Sequence, residues 1–190
     1  MRHPLQNIRH RRKETFFILL GLTILLMVLM NFVGAPLTTT EAPLGIISYE
    51  LAGSVSGAEA IFASWDQDAQ LRAAFSLGLD YLFLVVYSTT IALACIWSGE
   101  VLKKNGWPLA SASAPLAWGQ WLAALLDAVE NMALVIILFG LLSPPWPELA
   151  KWCAIIKFSL IFLGMVYAFY GLVSYLAARF IDKNDLIDAT

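Results

Sequence analysis

Two carboxylic acids and an amide, Asp127, Glu130 and Asn131, stand in the middle of an apolar run covering residues 116–142. Their spacing of i, i+3 and i+4 puts all three on one face of a helix. An acid at the centre of a bilayer costs roughly 2.5–3.5 kcal/mol on insertion scales, so that face must turn from lipid and find partners. Candidate partners lie in two other apolar runs. In the first, Ser76, Asp80, Tyr87 and Thr90 fall at offsets 0, +4, +11 and +14, one polar stripe on a helix. In the second, Lys157 shares a face with Gly164, Ala168 and Gly171, small residues that let a neighbouring helix approach closely. Lys157 should lie near the depth of Asp80 and about two turns from Glu130, a gap its flexible stem can nearly close. Gln120 extends the same face of the 116–142 run toward its start.

Three acids thus face one base. In a low dielectric, like charges repel and burial favours neutral forms, so at least one carboxyl is expected to hold a proton near pH 7, with titrations coupled across the group. Such a cluster can take up and release a proton, hold a cation or hydrogen-bond a buried ligand. The structural alternative is a network that only fixes helix register. Interhelical hydrogen bonds in membranes average about 0.6 kcal/mol, so a network this costly is a weak route to stability.

Several chemistries lack their residues. His3 and His10 are the only histidines and precede the first apolar run, so histidine-ligated haem, iron or zinc within the apolar runs is not expected. Neither C-x-x-C nor a glycine-rich phosphate loop is present. No cofactor and no metal is expected.

The elements that must position these side chains follow from composition. The 190-residue chain is 59% hydrophobic and 14% charged, with mean hydropathy +0.72, outside the balance of a soluble domain. A bilayer core of about 30 Å takes about 20 apolar residues per helix. Four stretches qualify: 16–33, 73–97, 116–142 and 152–175. The expected fold is an all-α bundle of four transmembrane helices in a single membrane domain, with an amphipathic helix in the loop 34–72.

Net charge is −2, but its distribution is more informative. Arg2, Arg9, Arg11, Arg12, Lys13, Lys103, Lys104, Arg179 and Lys183 fall on one side, and only Arg72 and Lys151 flank the spans on the other. The positive-inside rule then places both termini in the cytoplasm and the 34–72 loop outside, as in a bacterial inner membrane. The basic N-terminus reads as an orientation signal beside anionic lipid rather than a nucleic-acid surface. The first run, 18 residues long, exceeds a signal-peptide core and reads as a retained anchor.

Within the loop, Ile47, Leu51, Val55, Ala58, Phe62 and Trp65 recur at helical spacing. They predict one amphipathic helix that rests on the membrane interface, with a lid over the bundle mouth as the alternative, and with Trp65 at headgroup level. Ser64 and Gln67 resemble a capping box opening the next helix. Cys95 and Cys153 fall at opposite depths, so no disulfide between them is expected. The tail 181–190 is expected to be loose.

Function narrows to three readings. The first is a site at Asp80, Tyr87, Asp127, Glu130, Asn131 and Lys157 that binds or passes a proton, a cation or a small amphiphile, with a homo-oligomer implied if a pathway is enclosed. The second is an intramembrane enzyme acting on a lipophilic substrate, with Asp127 or Glu130 as general acid/base. The third is an accessory subunit whose polar face docks into a larger membrane complex.

Overall fold

A computed structural model describes residues 3–8 and 11–188, with side chains as far as Phe180. The elements are α1 (Arg12–Gly34), α2 (Ile46–Glu50), α3 (Val55–Ala63), α4 (Gln67–Lys104), α5 (Ser113–Leu138) and α6 (Trp146–Asp188). No strand occurs among the described residues. Four helices are long and apolar enough to cross a membrane. At 38 residues, α4 spans about 57 Å, well beyond a hydrocarbon core of about 30 Å. It is the hub of the bundle, packing against α1, α5 and α6, while α5 and α6 pack on each other. The first helix leans chiefly on α4, and its apolar side chains, Phe17, Ile18 and Val28 among them, face outward.

Helix ends explain most departures from the expected boundaries. Helix α4 starts at Gln67 with Asp66 as its cap, its carboxylate accepting from Ala69 N at 2.8 Å. The expected Ser64–Gln67 box does not form: Ser64 instead donates to the Ile61 carbonyl and pairs with Thr39. An acid one residue before the first turn accepts from the free amides and suits the helix dipole. Helix α5 stops at Leu138, short of 142, because Gly140 takes φ +91 and Leu141 N turns back to the Ile136 carbonyl. Pro147 is tolerated in the first turn of α6, where its missing N–H has no intrahelical acceptor. The tail expected to be loose continues α6 as far as Asp188, while residues 189–190 lie outside the described set.

The small-residue face of α6 is packed, as its composition requires. A Cβ on Gly164 would meet the Gln120 amide, and one on Gly171 would meet Ser98. Gln120, fully buried, donates to the Leu160 carbonyl at 2.8 Å and holds α5 against α6 away from the acids. Cys95 and Cys153 are both free and buried.

The loop is not one amphipathic helix. Gly53, at φ +66 and pressed against Lys151, breaks it into α2 and α3, and Ser54 caps the second by accepting from Gly57 N. The break resets the helical phase, so Ile47 ends exposed while Tyr49 and Glu50 turn inward. Trp65 is not an interfacial anchor either. It is buried, its indole N–H donating to the Leu37 carbonyl at 2.9 Å and its ring meeting Tyr49 edge to face. Leu37, Tyr49, Ala58, Ile61 and Trp65 form one core with Leu77, Leu134 and Ile137. The loop is therefore a folded cap over one end of the bundle. At the other end the N-terminal segment also docks: His3 is 1% exposed between Trp118 and Trp121, and Leu5 joins a core of Leu93, Ile96 and Leu102. His3 is thus a packed residue rather than part of a solvated tail, and burial pushes its imidazole below its usual range.

Candidate functional site

Each acid reaches the bundle interior by the face its helical spacing assigns. On α5, Asp127, Glu130 and Asn131 are all buried, at 2%, 0% and 1% exposure. On α4, Ser76, Tyr87 and Thr90 turn the same way and Asp80 is half-buried beside them. From α6, Lys157 extends into the gap and closes the two-turn offset that its stem could span. Its Nζ donates to Asp127 Oδ1 at 2.8 Å and to Glu130 Oε1 at 2.9 Å. Tyr87 Oη donates to the other oxygen of Asp127 at 2.9 Å. Asn131 Nδ2 donates to Asp80 Oδ2 at 2.5 Å. All six residues expected at the cluster therefore meet there, in two linked parts: Lys157 with Asp127, Glu130 and Tyr87, and Asp80 with Asn131.

One member was not anticipated. Glu50, the last residue of α2, drops from the cap into the cluster with its carboxylate 3.6 Å from Lys157 Nζ. It also lies within side-chain hydrogen-bonding reach of Glu130. Glu50 Oε2 is buried without a hydrogen-bond donor, and a proton shared with the neighbouring Glu130 carboxyl would satisfy it. Burial pushes the Glu50 carboxyl above the usual carboxylate range. The Lys157 charge is the main opposing influence. The sequence carried a signal, since Glu50 is the only charged residue between Glu41 and Glu59, in a strongly apolar stretch. A single stripe running through Gly53 pointed it the wrong way.

The cluster now holds four carboxyls, three of them around one ammonium and Asp80 beside Asn131. Two unit charges 4 Å apart interact by about 4 kcal/mol at an effective dielectric of 20, so four full negative charges here would strongly repel. Charge balance requires protons or a further positive group. No group of three His, Cys, Asp or Glu among the described residues has the geometry to hold a metal ion, and Lys157 Nζ fills the centre of the acids.

A crevice of about 470 Å³ leads to the cluster. Asp80, Tyr87, Asp127, Lys157 and Glu50 close its inner end, while Met27, Met30, Phe83, Phe158, Ile161 and Met165 line its length. Met27, Phe158 and Met165 are 47%, 39% and 50% exposed, so the crevice opens sideways between α1 and α6. The cause lies in the packing, with α1 seated on α4 and α6 on α4 and α5, which leaves a groove over α4. Toward the cap it is bounded by Leu44, Gly45, Ile46 and Ile47. Glu130 lies behind Lys157 and does not line it.

No family model, curated protein or solved structure matches the chain. Four helices long and apolar enough to cross a membrane, together with the buried salt-bridge cluster, are compatible with a membrane protein.

Proposed function

We propose that the protein binds a single-chain amphiphile taken sideways from the bilayer, with the chain in the α1–α6 crevice and the polar head at Asp80, Tyr87, Asp127 and Lys157. One observation carries this reading: an apolar groove open on the side of the bundle ends at a buried polar cluster. Its volume of about 470 Å³ lies in the usual range for small-molecule sites. Methionines along the wall suit a ligand of variable chain, because their unbranched side chains repack cheaply. Passage of an inorganic cation is less well supported, since such an ion would have to displace the Lys157 ammonium from the centre of the acids. Charge distribution supports an orientation with the basic end of the bundle in the cytoplasm of a bacterium and the cap outside.

The test is identification of co-purified lipid by mass spectrometry, for wild type and for Met165→Trp, which fills the mouth of the crevice. One amphiphile class enriched over the bulk membrane and lost in the variant is the expected result. Identical lipid profiles in both would refute binding in the crevice.

A second reading, an intramembrane enzyme, draws on a separate feature. Tyr87 donates to Asp127, Asp127 accepts from Lys157, and all three border the crevice. A hydrogen-bonded Tyr–Asp–Lys array can move a proton at a bound head group. Conversion of the co-purified amphiphile on incubation, abolished by Tyr87→Phe, would favour it.

A further inference from the structure

The crevice offers its two signs of charge unequally. Lys157 is the only cation in the cluster, and its ammonium is already engaged by Asp127 and Glu130 with Glu50 at 3.6 Å. Asp127 and Glu130 take two of its donors and the Glu50 carboxyl stands 3.6 Å from the nitrogen, so a ligand would compete with a carboxyl for this ammonium. Asp80 is in the opposite state. It lines the crevice, is half-buried, and accepts a hydrogen bond from the uncharged amide of Asn131. Among the described residues no Lys or Arg forms an ion pair with it. An anionic head would therefore meet four acids and no uncontested cation, and an uncharged hydroxyl would leave the excess of acids unbalanced. A protonated amine would supply the missing positive group and donate to Asp80 in a charge-assisted hydrogen bond.

Building on the amphiphile-binding reading, we propose that the ligand class is a long-chain amine, held by an ion pair between its ammonium and Asp80, with Thr23 and Asn31 on α1 framing the entry. Both residues line the crevice. Thr23 Oγ1 lies 3.1 Å from Thr90 Oγ1, tying α1 to α4 below the mouth, and Asn31 bonds only its own helix, to the Met27 carbonyl. The apolar wall recognises the chain, and Asp80 selects the head. Asp127 and Lys157 hold each other and set the electrostatic background.

The experiment uses the full chain in nanodiscs of phosphatidylcholine, with oleylamine, oleyl alcohol and oleic acid as probes of one chain and three heads. Occupancy is read by native mass spectrometry. Wild type should bind oleylamine about tenfold more tightly than either other probe, the margin of one charge-assisted hydrogen bond. Asp80→Asn should remove that margin and leave oleyl alcohol within about twofold, since the amide can keep its contact with Asn131. The ranking in wild type needs no variant, so misfolding of Asp80→Asn cannot rescue the idea. Equal affinity for amine and alcohol, or an amine preference that survives Asp80→Asn, overturns the class while leaving the crevice as a binding site. Failure of all three probes, or binding indifferent to Met165→Trp, overturns the site as well.

Discussion

Lys157→Met removes the ammonium and keeps an unbranched apolar stem in the same space. In the native protein Nζ sits 2.8 Å from Asp127 and 2.9 Å from Glu130, with Glu50 at 3.6 Å and the Lys157 side chain only 5% exposed. Deleting one partner of a buried ion pair costs about 3–5 kcal/mol, because the remaining charge is left without compensation. The folded variant can escape that cost by taking up a proton, so the penalty must depend on pH. Glu50, whose carboxyl burial already raises, loses its main opposing charge and is raised further. A carboxyl raised in the folded state stays protonated while the unfolded chain ionises, so the folded form binds more protons and stability falls as pH rises. The fall begins near the ordinary glutamate range and continues to the raised folded value. It can reach about 1.4 kcal/mol per pH unit for one proton.

The assay is denaturation of bicelle-reconstituted protein by SDS titration at pH 5 and pH 8. Lys157→Met should lie within about 1 kcal/mol of wild type at the lower pH and about 3–5 kcal/mol below it at the higher. Adding Glu130→Gln should recover at least about 1 kcal/mol at pH 8 by removing one uncompensated acid. A penalty that is the same at both pH values, or absent at both, would refute the view that this one ammonium neutralises the acids.

Other expectations follow from individual contacts. Glu50→Gln removes the acid that burial raises while keeping its shape, so wild type's loss of stability above pH 5 should flatten, by up to about 1.4 kcal/mol per pH unit; an unchanged slope assigns the titration elsewhere. Gly171→Ala would force a Cβ into Ser98 and should cost about 1–3 kcal/mol, whereas Gly21→Ala, with nothing within 4 Å, should gain up to about 1 kcal/mol of helix propensity. SDS titration of the two variants side by side checks the opposite signs. Trp65→Phe loses the indole hydrogen bond to Leu37 and leaves that carbonyl buried, a cost of about 1–3 kcal/mol that faster proteolysis of the 34–72 loop should register.

The candidate site was legible where it depends on a single helical period. Asp127, Glu130 and Asn131 share one unbroken helix, so spacing alone fixes their common face, and the stripe on α4 obeys the same rule. Lys157 was legible because an amine inside an apolar run has to find an acid, and its stem tolerates an offset of two turns. The crevice was not legible. It arises from how α1 sits on α4, and the span in α1 is apolar all round apart from Thr23 and Asn31, too little polarity to declare which face meets protein and which meets lipid. The cap failed for a different reason. Hydrophobic spacing read across residues 47–65 assumes a constant phase, and a glycine at φ +66 cancels it.

That failure bears on how the site works. Two glycines at positive φ, Gly45 at +60 and Gly53 at +66, bracket α2, a helix of five residues whose last side chain is Glu50. Tyr49 beside it donates to the Leu134 carbonyl at 3.4 Å, a long bond, so the acid's approach to Lys157 is a principal polar tie between cap and cluster. Neutralising Glu50 weakens that tie and also removes one of the four acids that make the crevice receptive to a cation. The same substitution should therefore loosen the cap and weaken amine binding together. Loosening is read as faster hydrogen exchange in residues 46–52, and binding as oleylamine occupancy. Exchange that speeds up while occupancy holds would make Glu50 a latch alone. Occupancy that drops with no change in exchange would make it part of the ligand's electrostatic seat. Only a joint change fits an acid that belongs to both.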